Sequence, residues 1–324
     1  MLIVTNYHYI REDFTTPYPS IFGLTPLQFR KQLEQLSDFG GFISQNELLD
    51  YRKKPLDKNY FLISFDDGLK EQYELAKPIL EAMGIPYIFF INTANFGNKK
   101  VSLVHKIHLV RSQLAPEKLL QKLQANSLTK NEKKAALLHY NYDTEENAIL
   151  KYFLNFKLSF EQQEDLIEPL FSTFFDEEEL AEDLYFSEEM LQELHLKGVL
   201  ASHSHRHLPL GRLASSEVKK EMENTQSFFM KTFGQRAKAL SYPYGSRDSC
   251  EGIGDILQET GFKLGFTMER AANNSLHEDS LLLARYDCND LPGGKNDLFN
   301  NKNPFEKAGL RKWHTNESSF THKR

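Results

Sequence analysis

The sequence predicts an α/β protein built on a parallel sheet, either open or closed as a barrel. Short apolar runs recur along the chain, as in "LIVTNYHYI" (2–10), "FLISF" (61–65) and "YIFFI" (87–91). Amphipathic stretches of helical period lie between them. Alternation of this kind supplies the crossover connections that parallel strands require. A third observation concerns function: Asp66 and Asp67 stand side by side where the second run ends. In parallel sheets, chemically active groups gather at the C-terminal ends of strands.

The elements follow in order. The run 2–10 is a strand. "TPLQFRKQLEQLSDFG" (25–40) is a helix, with Thr25 placed to cap it, Pro26 in its first turn and Gly40 beyond its end. Phe61, Leu62, Ile63 and Phe65 form a buried strand that ends at Asp66; a helix over 70–83 and the strand 87–91 follow. "GVLASH" (198–203) reads as a strand. "SSEVKKEMENTQSFFMKTFG" (215–234) is a helix whose Val218, Met222, Phe229 and Phe233 share one face, and Gly234 stops it. "AKALSYPYG" (237–245), "KLGFT" (263–267) and "LLLARYD" (281–287) are three more strands.

Residues 99–186 have a different character. They are rich in Leu, Lys, Glu and Gln, with amphipathic stretches at 116–124 and 161–175. They are expected to form a helical insertion, a lid or an oligomer surface, within a core made of 1–98 and 187–291. From 292 to 324 the chain is expected to be a loose polar tail, with Phe305, Leu310 and Trp313 as docking points.

Composition narrows the function classes. The net charge of −6 over 324 residues argues against a nucleic-acid binder, which presents a basic face. Two cysteines, Cys250 and Cys288, make no disulfide framework. The first ten residues, "MLIVTNYHYI", lack a basic leader segment, and no stretch approaches the roughly 20 apolar residues of a membrane span. A cytoplasmic protein is the expectation.

Three segments carry chemistry. Adjacent buried carboxylates such as Asp66 and Asp67 repel unless something positive compensates them. "ASHSHRHLPLGRL" (201–213) alternates His203, His205 and His207. Neutral imidazoles ligate zinc and similar ions, and two of them with one carboxylate leave an open site for substrate. A solvated histidine-rich loop is the plain alternative. "ALSYPYGSRD" (239–248) ends a strand in a turn at Pro243 and Gly245, where a backbone N–H is able to serve as an oxyanion donor.

"SFDDG" (64–68), "SHSHRH" (202–207) and "YPYG" (242–245), in that order and spacing, resemble the metal-dependent polysaccharide deacetylases, carbohydrate esterase family 4. The resemblance covers roughly 1–98 and 186–290. It implies a distorted (β/α)7 barrel and a hydrolase that removes acetyl groups from sugars. It further implies a divalent ion, Zn2+ by expectation, held by Asp67, His203 and His207. Asp66 would be the general base, and the N–H of Tyr244 an oxyanion donor. Two departures stand out. Ser241 occupies the position where many relatives have an arginine that orients the base, and Arg285 is the candidate to replace it. The late Leu-x-x-His pattern is poorly matched by His277. The "YH" pair at Tyr7–His8 resembles the poly-N-acetylglucosamine deacetylase-like branch, so His8 is the expected general acid. The implied substrate is an N-acylated sugar or glycan precursor for a surface polysaccharide. A related amidase or deformylase, or a non-catalytic carbohydrate-binding barrel, are the alternatives.

Overall fold

A computed structural model describes residues 1–123, 128–140, 143–277 and 279–315 of the chain. Its sheet is built from β1 (Leu2–Tyr7), β2 (Gly41–Phe42), β3 (Tyr60–Phe65), β4 (Tyr87–Ile91), β5 (Leu200–Ser202), β6 (Ala239–Ser241), β7 (Leu264–Phe266) and β8 (Tyr286–Asp287). The order across the sheet is β7-β6-β5-β4-β3-β1-β8, with the short β2 beside β3. All of these strands pair in parallel, β1 with β3 in register from Leu2↔Tyr60 to Tyr7↔Phe65. The segment before β8 closes the ring. Leu283 bridges Phe266 of β7, while Tyr286 pairs with Thr5 of β1. This is a curled seven-strand parallel sheet with helices around it, a distorted (β/α)7 barrel.

The alternation along each strand explains why the strands read as unbroken apolar runs. Leu2, Val4, Leu62, Ile88, Phe90, Ala201, Ala239, Leu264, Phe266 and Leu283 pack together as one layer, drawn mainly from strands. Their neighbours Tyr7, Ile63, Phe65, Phe89 and Ile91 pack instead against helical residues such as Phe29, Leu33, Leu80, Met222 and Leu257. Both faces of the sheet are buried, as βαβ crossovers require.

The chain forms two compact units, one of Met1–Glu12, Gly23–Lys99 and Glu182–Arg324 and a second of Asp13–Phe22 and Lys100–Ala181. In the first, the helix Pro26–Ser37 begins at Thr25 with a reciprocal cap to Gln28, and Ser215–Phe233 ends at Gly234 in the left-handed conformation. The second contains the helices Leu103–Gln113, Pro116–Lys122, Lys130–His139, Glu145–Lys157 and Phe160–Phe171. Thr129, Thr144 and Ser159 cap three of them. Its interior includes Leu119, Ala136, Leu150, Leu154, Ile167 and Phe171. Among the described residues, no helix is long and apolar enough to cross a membrane.

Several elements are shorter than their apolar runs. The runs 198–203, 237–245 and 281–287 contribute only two or three strand residues each. The remainder forms the loops that build the site. The stretch 292–315 packs onto the barrel: Phe305 is buried with its ring 4.7 Å from that of Phe61, and the backbone of Lys312 and Trp313 donates to Glu269. Leu310 stays exposed. Gln124 of the stretch 116–124 and tail residues 316–324 lie outside the described residues.

Candidate active site

The lumen-facing parity passes from apolar residues into polar ones at or near the C-terminal ends of the strands. Val4 is followed two residues on by Asn6, Phe90 by Asn92, Ala201 by His203, Ala239 by Ser241 and Leu283 by Arg285; from Leu62 the parity passes through Ser64 to Asp66. The barrel rim thus collects a ring of polar side chains, each buried.

The paired aspartates diverge. Asp66 is still held by the β-ladder, its N–H donating to the carbonyl of Tyr7 at 3.0 Å. Asp67 turns left-handed (φ 80°) and Gly68 follows it (φ 66°). A side chain on Gly68 would come within 2.8 Å of Ile91 Cγ2, so only glycine fits that turn. The turn sends the two carboxylates to different partners.

Asp66 meets Arg285. The guanidinium donates from Nη1 to Oδ1 and from Nη2 to Oδ2, both at 3.0 Å. Arg285 also donates to the Thr267 carbonyl (3.0 Å), Asn6 Oδ1 (3.2 Å) and Ser241 Oγ (2.8 Å). Burial by itself pushes the Asp66 carboxyl up, but the Arg285 charge outweighs it, with help from His203 and His8, and the carboxyl is drawn down to about 2. His8 lies just beyond β1 with its side chain 38% exposed and Nε2 4.0 Å from Asp66 Oδ2. Gln72 ties the two backbones together, donating from Nε2 to the carbonyls of His8 and Asp66.

Asp67 meets the histidines. Its Oδ1 lies 3.7 Å from Nε2 of His203 and 3.7 Å from Nε2 of His207. One donor atom from each of the three residues falls within 4.8 Å of the others. These gaps are too long for hydrogen bonds. His203 Nδ1 sits 2.8 Å from the Ser241 carbonyl oxygen, which only accepts, so Nδ1 carries the proton. In the neutral ring Nε2 is then a free lone pair aimed at Asp67. Ligands around a tetrahedral ion at bond lengths of about 2.0–2.2 Å stand roughly 3.4 Å apart, so this donor set fits a divalent cation. Asn92 Nδ2 donates to the same Asp67 Oδ1 at 3.2 Å and restrains the carboxylate.

The histidine loop owes its shape to the backbone. Ser204 (φ 71°) and His207 (φ 60°) are left-handed, and Ser204 Oγ accepts the His207 N–H at 3.1 Å. His205 turns away from the cluster to Thr93, Nδ1 to Oγ1 at 2.8 Å. Tyr244 (φ 62°) is left-handed too, with its ring 5.0 Å from that of His207. Non-glycine residues in this region cost of order 1–3 kcal/mol each and persist where the surroundings enforce them. Here they mark the three motif segments. His277 lies in an exposed bend.

Asp66, Asp67, His203, His207, His8 and Arg285 are therefore brought together, with Tyr244 at the edge. Sequence reasoning missed Asn6, Asn92, Gln72 and Thr267, and gave Ser241 no part; the lumen-facing parity would have found Asn6, Asn92 and Ser241.

A family model described as polysaccharide deacetylase matches residues 170–265, which include His203, His207 and Tyr242–Gly245 but not β3 or the aspartates that follow it. No curated protein sequence matches the chain. Among solved structures, IcaB from Ammonifex degensii superposes with a TM-score of 0.53 at 17% identity, covering 88% of this chain and 90% of that one. The Streptococcus pyogenes deacetylase PplD in complex with acetate gives 0.53 at 16% identity, with 88% and 91% covered. A de-N-acetylase from Aggregatibacter actinomycetemcomitans gives 0.51 at 14%, with 89% and 95% covered. At these identities the superpositions establish the shared barrel. Residues 170–265, which carry the second and third motifs, are thus similar to the polysaccharide deacetylase family, and the chain as a whole shares the barrel of solved deacetylases.

Proposed function

We propose that the chain is a zinc-dependent hydrolase that removes an N-acetyl group from a sugar in a surface-polysaccharide precursor. The observation that carries this is the convergence of Asp67, His203 and His207 within 4.8 Å, directly beside the buried Asp66–Arg285 pair. Asp67, His203 and His207 would hold the ion. When bound, it supplies Lewis acidity to the acyl group and the attacking water. Asp66, kept ionised by Arg285, takes the proton of that water as general base. Arg285 is a positioning residue: its two parallel bonds fix the plane of the Asp66 carboxylate. His8, within reach of Asp66 and open to solvent, gives a proton to the departing nitrogen. The N–H of Tyr244 is the oxyanion donor. A barrel that merely bound glycans would have no use for a buried carboxylate locked to an arginine beside a three-donor cluster.

The precursor and its cytoplasmic setting rest on the sequence expectation, so the substrate panel has to separate them. Acetate release is measured with nucleotide-linked and lipid-linked N-acetyl sugars and with finished polymer, before and after chelation. Release that chelation abolishes is the expected result. A fully metal-loaded protein that releases no acylate from any of them would overturn the reading, and release from polymer alone would overturn the precursor. The proposal extends to self-association through residues 99–186, supported by exposed Leu137, Leu138, Phe156 and Phe174 there. Leu138→Lys with Phe156→Lys should reduce the mass measured by light scattering; a monomeric wild type sinks it.

A further inference from the structure

The helical unit of residues 13–22 and 100–181 contains a cavity of its own, about 290 Å³ in volume. Arg111 lines it and is 7% exposed. Its Nη2 donates to Asn147 Oδ1 at 3.2 Å, but its Nε–H is buried without a partner. Among the described residues no carboxylate stands within ion-pair distance of this guanidinium. Asp143, whose charge Arg111 feels, is committed to Lys151 at 2.7 and 2.9 Å. Burial lowers the Arg111 pKa, and Asp143 and Tyr140 offset this only in part. A buried cation with an unmet donor is costly unless an anion completes it.

The surroundings define that anion. Asn147 and Thr144, which also line the cavity, belong to the start of the helix Glu145–Lys157, whose N-terminal end favours negative charge. Pro19, Leu114 and Leu150 give the cavity an apolar wall. Glu117 and Glu146 line it too, so a second negative charge on the ligand would be repelled. A neutral ligand would leave the guanidinium uncompensated. We propose that this cavity binds a small organic monoanion, a carboxylate on an apolar body, with the carboxylate against the edge of the Arg111 guanidinium that lines it and the body against Pro19, Leu114 and Leu150. Every residue lining it belongs to this unit, and none is among Asp66, Asp67, His203 and His207.

The test uses the full chain, with hexanoate, hexanamide and inorganic phosphate as probes in ligand-observed NMR titrations. Hexanoate should bind; hexanamide, which loses the charge-assisted hydrogen bond, should bind at least about tenfold more weakly, and so should phosphate, which has no apolar body and carries extra negative charge. Arg111→Gln should weaken hexanoate by a similar factor. Glu117→Trp, at an exposed position on the lining, should block the cavity with Arg111 intact, and it carries the test if Arg111→Gln fails to fold by circular dichroism. Equal binding of hexanoate and hexanamide, preference for phosphate, no binding to wild type, or undiminished hexanoate binding to folded Glu117→Trp each overturn the proposal.

Discussion

Replacing Arg285 by methionine tests the electrostatic core of the site. The side chain has no solvent exposure and holds Asp66 through two 3.0 Å bonds. A carboxyl held at about 2 rather than 3.8 is worth about 2.5 kcal/mol of folding stability at neutral pH, at roughly 1.36 kcal/mol per decade. In wild type that contribution is complete above pH 3.8 and fades only as pH falls through about 2. Arg285→Met removes most of it and leaves Asn6 Oδ1, Ser241 Oγ and the Thr267 carbonyl short of a donor. Breaking a buried pair from one side costs about 3–5 kcal/mol, and that is the expected loss at pH 7. Without its cation, the buried Asp66 carboxyl rises above its unfolded value. The folded variant then takes up a proton that folded wild type does not, so its deficit should shrink as pH falls from 7 toward about 4. Urea unfolding in chelator at pH 7 and pH 4.5 reads both effects. Equal stability of the two proteins at pH 7, or a deficit that does not change with pH, would refute the assignment of Arg285 as the charge partner of Asp66.

The remaining predictions concern the proposed roles. Asp67→Asn and His207→Ala should each lose the bound ion by metal analysis; full occupancy in both removes the ligand assignment. Asp66→Asn should retain the ion and lose about 10²–10⁴ in kcat, and unchanged turnover would mean that the base is elsewhere. His8→Ala should bind metal and melt as wild type does, because the side chain is 38% exposed, while losing turnover least on substrates with activated leaving groups; a uniform loss across leaving groups would exclude it as the acid. Asn92→Ala should weaken metal affinity about 10–100-fold through Asp67, and an unchanged affinity would show that the 3.2 Å bond does not matter.

The parallel α/β architecture was legible in the sequence, because strand and helix periodicities are local and both sheet faces had to be apolar. So were the residue types of the centre: Asp66–Asp67, His203 and His207, and the turn at Tyr244 all sit where apolar runs stop. His8 and Arg285 were legible only as candidates. Arg285 is distant in sequence from Asp66, and only the closing of the ring through Leu283 and Tyr286 brings it to the carboxylate. The left-handed turn at Asp67, which no local pattern shows, is what sends each aspartate to the partners that the family resemblance implied. Tertiary structure alone decided that Asn92 restrains Asp67 and that the Ser241 carbonyl sets the His203 tautomer. Such partners come from neighbouring strands in the barrel, not neighbouring residues in the chain, and a hydrogen bond across strands leaves no periodic trace in one sequence.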